Sequence, residues 1–150
     1  MIRKAGLSDA QAIARCEKIC FPLPLSETSI KDMLQNPVYQ FFAAEEDSRI
    51  AGHIILCLAG DDAEILSLAV LPEFRGHGMA KDLLTAAERF SLERNAGGLL
   101  LEVRVSNLPA ITLYEKYGFT RLTRRKNFYS FPPEDGFTMK KEIKGSFEPC

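Results

Sequence analysis

Two periods of apolar residues run along this chain. Runs at Val38–Glu45, Ile50–Leu58 and Ala63–Val70 are split by Glu46-Asp47-Ser48-Arg49 and Gly60-Asp61-Asp62, which predicts three antiparallel strands in a meander. The period then changes. Met79, Leu83, Ala87 and Phe90, with Leu84 beside them, recur at helical intervals, while Lys81, Asp82, Glu88 and Arg89 fall on other faces. That predicts an amphipathic helix over Gly78–Arg94, ended by Gly97 and Gly98. Before the meander, Met1–Ala5 reads as a short strand. Ser8 with Gln11 fits a capping box for a helix to about Cys20, with Ile13, Cys16 and Cys20 inward. Phe21-Pro-Leu-Pro-Leu is a loop, because proline lacks an N–H and holds its neighbour extended. Ser26 can cap a second helix that stops before Asn36-Pro37. After the amphipathic helix come a strand over Gly98–Val105 and a helix capped by Ser106 or Asn107. That helix carries Ile111, Leu113, Tyr114 and Tyr117 and stops at Gly118. Phe119–Leu122 and Gly136–Ile143 complete the pattern as two strands around Phe131-Pro-Pro-Glu-Asp-Gly.

The order strand, helix, strand over Ile65–Val70, Gly78–Arg94 and Leu99–Val105 is a crossover unit, so those two strands run parallel. Between the first strand and its helix lies Val70-Leu-Pro-Glu-Phe-Arg-Gly-His-Gly-Met-Ala80. The first N–H groups of a helix lack internal acceptors and sit at the positive end of its dipole. With glycines allowing close backbone approach, this turn suits an anion such as phosphate or pyrophosphate. The bland alternative is a strand-to-helix turn that merely needs glycine. A dinucleotide G-x-G-x-x-G fails, because Lys81 stands where the third glycine belongs, and no phosphate-loop G-x-x-x-x-G-K-[ST] occurs.

Bulk properties narrow the classes. The 150 residues, 46% hydrophobic, are expected to form one domain spanning 1–150. A net charge of −1 gives no global field for a nucleic-acid backbone or an anionic membrane, and no apolar run nears the length of a membrane span. Cys16, Cys20, Cys57 and Cys150 form no C-x-x-C, and His53 and His77 lie far from any cysteine pair, so neither a metal nor a disulfide framework is expected. Cytoplasmic residence and a monomer are the matching expectations.

The element order resembles the GNAT acetyltransferase superfamily. Its acetyl-CoA loop [Q/R]-x-x-G-x-[G/A] is matched by Arg75-Gly76-His77-Gly78-Met79-Ala80, and the preceding V-x-P by Val70-Leu71-Pro72. A second block, Leu101-Glu-Val-Arg-Val-Ser-Asn107 followed by Ala110-Ile-Thr-Leu-Tyr-Glu-Lys-Tyr-Gly-Phe119, is similar to the branch that acetylates protein N-termini, bacterial ribosomal-protein-alanine acetyltransferases among them. Arg124–Tyr129 resembles that branch's R-x-x-Y-Y arm, and Phe21-Pro22 with Ser26-Glu27 its F-P-x-S-E loop. Leu23-Pro24 are extra residues there, and Leu25 stands where the branch often has tryptophan.

The resemblance implies an α+β GNAT fold, a mixed, mostly antiparallel sheet with one parallel pair at the cofactor cleft. It implies direct transfer from acetyl-CoA to the α-amine of an N-terminal alanine on a ribosomal protein. A GNAT enzyme for small amines or internal lysines, or an acyl-CoA-binding module without turnover, stay open. The N–H groups of His77, Gly78, Met79 and Ala80 would hold the pyrophosphate, with charge from Arg75 and from Lys81, which could equally be a solvated helix residue. Backbone groups of Leu68, Ala69 and Val70 would position and polarise the acetyl carbonyl. Glu102, interrupting an apolar strand expected to be covered on both faces, is the candidate base, since a desolvated carboxyl can be raised toward a useful pKa; the alternative is a pair with Arg104 on the same strand face. Tyr114 matches the family's acid position, against the reading of a core tyrosine with its hydroxyl at the rim. Asn107 matches a position that contacts CoA, though capping alone would explain it. Arg124-Arg125-Lys126 is either a solvated strand edge or, with Phe128 and Tyr129, the border of a peptide groove.

Overall fold

A computed structural model describes residues 1–143; the reading of Cys150 lies outside them. The elements in chain order are β1 (Ile2–Lys4), α1 (Ala10–Cys20), α2 (Glu27–Leu34), β2 (Tyr39–Glu46), β3 (Arg49–Cys57), β4 (Ala63–Val70), α3 (Met79–Glu93), β5 (Gly98–Arg104), α4 (Leu108–Lys116), β6 (Thr120–Ser130) and β7 (Pro133–Glu142). They build one seven-stranded sheet in the order β1-β2-β3-β4-β5-β7-β6. Among the described residues only β4 and β5 pair in parallel; every other neighbour is antiparallel.

Side chains alternate across a strand, so adjacent apolar residues in β2 and β3 serve opposite faces. Phe41 and Ile55 pack with Ile13 of α1 and Ile30 of α2. Phe42, Ile54 and Leu56 pack with Leu83, Leu84 and Phe90 of α3 and with Ile111 of α4. That is why β3 reads as an unbroken apolar run: its middle is buried on both sides. Each fully buried Leu or Ile contributes about 1.5–3 kcal/mol. β5 behaves differently. Leu99, Leu101 and Val103 are buried against α3 and α4, whereas Leu100, Glu102 and Arg104 are half-exposed. The expectation of a strand covered on both faces is therefore corrected.

Four local expectations change as well. Ser8 does not cap α1. A 3-10 turn over Leu7–Asp9 precedes the helix, and the Asp9 carboxylate accepts the Gly6 N–H at 2.8 Å while gripping Arg3 at 2.8 and 2.9 Å. α3 ends before the glycines, at Asn95, whose φ of 63° is the left-handed stop that asparagine tolerates. The β2–β3 turn is tighter than four residues, with Asp47 and Ser48 both at positive φ, as in a two-residue hairpin. β6 and β7 are much longer than Phe119–Leu122 and Gly136–Ile143. They continue through an irregularity at Asn127 (φ 53°), whose N–H donates to Asp135 Oδ1 at 2.8 Å. That irregularity breaks the two-residue period and hides the strand in a polar sequence. Ser26 and Asn107 do cap their helices, accepting from Ser29 N at 3.1 Å and Ala110 N at 3.3 Å. Among the described residues no helix is long and apolar enough to cross a membrane.

Candidate active site

β4 and β5 pair only over Ala63–Ile65 and Leu99–Leu101. Beyond Ile65 and Leu101 no ladder joins them, and a cleft of about 580 Å³ opens in the gap. Its floor is Ile65–Leu68 and Leu101–Arg104; its walls carry Phe21, Pro22, Leu23 and Leu25 of the α1–α2 loop, Tyr129 of β6, and Asn107, Ala110 and Tyr114. The sheet thus brings together Leu68, Glu102, Asn107 and Tyr114 from positions far apart in the chain.

On the β4 side the chemistry is in the main chain. Leu71 N–H is bonded to Ala51 O at 2.8 Å, and β3 pairs with β4 up to Val70. Alternation then turns the backbone groups of Leu68 and Val70 to the open edge, while Ala69 faces its partner His53 in β3. Past Val70, a 3-10 turn over Pro72–Phe74 leads to Gly76 (φ 85°) and Gly78 (φ 79°), then α3. Both values lie in the left-handed region, so glycine is required at these two positions. The N–H groups of His77, Gly78, Met79 and Ala80 donate to no backbone carbonyl among the described residues. They face the start of the helix as a set of free donors. Arg75 is committed differently from expectation: its Nε donates to Val70 O at 2.9 Å, and its guanidinium lies 3.7 Å from Cys20 Sγ. It fastens the turn to the end of β4. Lys81 is exposed on the first turn of α3. The turn borders the strand end and does not line the cleft itself.

On the β5 side the chemistry is in side chains. Glu102 Oε2 accepts Thr138 Oγ1–H at 2.7 Å from its register partner on β7, and Oε1 lies 3.5 Å from Arg125. The pair with Arg104 does not form. Arg104 reaches instead to the carbonyls of Phe131 and Pro132 at 2.7 and 2.8 Å, to Glu134 at 3.2 Å, and stacks on Tyr129. The reason is the β6–β7 hairpin, whose turn carbonyls are aimed at that guanidinium. Tyr114 is buried, its ring packed edge-on against Phe119, and its hydroxyl makes no hydrogen bond among the described residues. Burial, with Tyr129 nearby, pushes its phenol up to about 12. Tyr129 is pushed up to about 12 by burial and by Glu102, against the pull of Arg104. Arg124 and Arg125 stand on the exposed outer strand, Arg124 paired with Asp135 at 2.9 Å.

One constellation escaped the sequence reading. Glu17 of α1, His53 of β3 and Ser67 of β4 form a buried hydrogen-bonded cluster under the α1–α2 loop. The available signal was His53 itself, a polar ring inside a run of apolar strand residues. Glu17 looked like any solvated helix carboxylate.

A splayed parallel pair thus lies beside free helix-start donors, with a carboxylate and a phenol lining the gap. The chain belongs to the acetyltransferase (GNAT) family, whose model matches residues 10–119, and it is an N-acetyltransferase. It is 32% identical over 129 residues to the [ribosomal protein bS18]-alanine N-acetyltransferase of Escherichia coli K12, spanning 86% of this chain and 85% of that one. It is 31% identical over 151 residues to an N-alpha-acetyltransferase of Sulfurisphaera tokodaii, spanning 92% and 90%. The crystal structure of the Escherichia coli ribosomal-protein-S18-alanine N-acetyltransferase superposes with a TM-score of 0.87 at 30% identity, over 95% of this chain and 93% of that one.

Proposed function

We propose that this enzyme acetylates the α-amine of an N-terminal alanine on a ribosomal protein, using acetyl-CoA, with Glu102 as general base and Tyr114 as general acid. The observation that carries this reading is that Glu102 and Tyr114, brought from β5 and α4, line one cleft in the β4–β5 gap. The free N–H groups at the start of α3 suit the pyrophosphate of the cosubstrate. The open-edge N–H groups of Leu68 and Val70 suit the thioester oxygen, where negative charge develops during attack.

An α-amine has a pKa near 8, so roughly a tenth is neutral at pH 7, and the base has a modest task. The amine nitrogen attacks the thioester carbon, Glu102 takes the ammonium proton directly or through water, and the C–S bond breaks as the amide forms. Tyr114 is fully protonated at neutral pH and has its hydroxyl free to donate to the departing sulfur. The phenol is a far weaker acid than a thiol, so its contribution begins as a hydrogen bond to the leaving thiolate; the proton follows only as far as the sulfur's charge demands. The apolar residues Phe21, Leu23 and Leu25 line the same cleft as Tyr129, and this lining suits a small first side chain followed by an extended peptide.

The test is acetyl-CoA turnover with peptides beginning in alanine, beside lysine peptides and polyamines. The reading expects the alanine peptides to have the highest kcat/KM. Preference for a polyamine or lysine would move the enzyme to another acceptor class, and CoA binding without turnover would leave only a binding module.

A further inference from the structure

Glu17 is 3% exposed, on the inner face of α1. A buried carboxylate costs several kcal/mol unless it is paired and hydrogen-bonded, so its partners show what it is there to hold. They come from three separate parts of the chain. Oε2 is 2.7 Å from His53 Nε2 and accepts the Ser67 hydroxyl, which fastens α1 to β3 and β4. Oε1 accepts the Leu25 N–H at 3.2 Å. Burial works against the charge, but the hydrogen bonds from His53 and Ser67 outweigh it and hold the Glu17 carboxyl below the ordinary carboxylate range. His53 Nδ1 is buried with no partner among the described residues. An ionised carboxylate only accepts, so the His53–Glu17 bond carries its proton on Nε2.

Beyond the packing of Phe21 and Leu25 on the core, the α1–α2 loop has few other hydrogen-bonded anchors among the described residues. Pro22 and Pro24 have no N–H, and between Phe21 and Leu25 the described backbone donors that find an acceptor are Phe21, bonded to Glu17 O at 2.9 Å, and Leu25, bonded to the Glu17 carboxylate. One residue therefore ties down both ends of the loop that forms the apolar wall of the cleft. A leucine at position 17 would fill the same space without the cost of a buried charge, but it could not bridge the loop to the sheet.

We propose that Glu17 is a positioning residue for the acceptor. Its carboxylate fixes the Phe21–Leu25 wall against β4 and so sets the affinity for the incoming amine, while it bonds to none of the helix-start donors, Glu102 or Tyr114. The inference rests on the reading of this cleft as the amine site.

Glu17→Gln keeps the size, but its amide cannot accept from Leu25 and from the Ser67–His53 side at once. Steady-state kinetics on the whole chain should show the acceptor KM rising about tenfold or more, the loss of one charge-assisted hydrogen bond. The kcat at saturating acceptor and the acetyl-CoA KM should each stay within about threefold on the same scale. Leu25→Pro, compared with Leu25→Ala, removes the N–H while leaving the carboxylate and its sheet partners intact, and should reproduce the rise. It decides the matter if Glu17→Gln does not fold. An acceptor KM unchanged in both variants, or a loss shared equally by kcat and the acetyl-CoA KM, overturns the proposal. The kinetics are run with whichever amine the wild type accepts. Preference for an amine other than an alanine N-terminus therefore sinks the proposed substrate and still tests Glu17, whereas no turnover with any amine overturns both.

Discussion

The two sides of the cleft are built from different materials. The β4 side is main chain: an open strand edge held by its β3 ladder and, just beyond the cleft, free N–H groups around two left-handed glycines. The β5 side is side chain: Glu102, Tyr114 and Tyr129, faced by a loop that Glu17 ties to β3 and β4. A main-chain site depends on the backbone path and hardly on neighbouring side chains, so it suits a ligand that never changes. A side-chain site can be re-tuned residue by residue, which suits the partner that varies between enzymes of one fold. The two sides should accordingly fail in different ways.

The largest effect is expected on the chemical side. Glu102→Gln and Tyr114→Phe should each lower kcat/KM by about 10²–10⁴, with Tm within a few degrees, because neither substitution empties space in the core. If both variants stay within a few-fold of wild type, the assigned acid and base are wrong. On the main-chain side, Gly78→Val should weaken CoA binding about a hundredfold or more, measured by calorimetry. A Cβ there meets nothing within 4 Å, so any loss stems from the φ of 79° and from blocking the approach to the helix-start donors, and not from a clash within the protein. Unchanged affinity would remove the phosphate assignment from this turn.

Gly52→Ala probes how the strand end is held. Its Cβ would sit 2.5 Å from Ala69 O and 3.3 Å from Val70 Cα, so β3 and β4 must part where the cofactor strand ends. About 1–3 kcal/mol of stability should be lost by chemical denaturation, together with acetyl-CoA affinity but not acceptor affinity. Smaller still is the effect of acid on β1. Hydrogen bonds from Arg3, then from the Gly6 N–H, hold the Asp9 carboxyl below its usual range in spite of burial. A depressed folded pKa adds stability above the unfolded pKa, and that addition is lost as pH falls through the folded value. Wild type should therefore lose stability below about pH 4 more steeply than Asp9→Asn, as followed by acid titration of the helix signal. Parallel titration curves would show that the Arg3–Asp9 pair contributes nothing.

Local signals carried far where the physics is local. The caps at Ser26 and Asn107, the meander, the crossover from β4 through α3 to β5 and the glycine turn each depend on residues a few positions apart, and all were legible in the chain. Legibility failed where an interaction crosses the fold. Ser8 lost its capping role because the Asp9 carboxylate, held by Arg3 of β1, takes the Gly6 N–H and starts the helical turn at Leu7. β6 was legible only as Phe119–Leu122 because its pairing is irregular after Arg121 and again around Asn127, which breaks its period. Arg104 left Glu102 because a hairpin turn twenty-seven residues away offers better acceptors.

Two features of the site show the same division. The sequence by itself determined the β4 turn, since glycine at positions 76 and 78 and a helix start after them dictate free donors through backbone geometry alone. The resemblance of one block to a known family, and a carboxylate interrupting an apolar run, also pointed to Glu102 and Tyr114, which the fold places in one cleft. Only the tertiary structure decided that β4 and β5 part after Ile65, that Arg75 serves the strand end, and that Glu17 reaches His53, Ser67 and Leu25. A carboxylate on an amphipathic helix is indistinguishable in sequence from a solvated one. Its burial, and hence its cost and its partners, depends on what the rest of the chain packs around it.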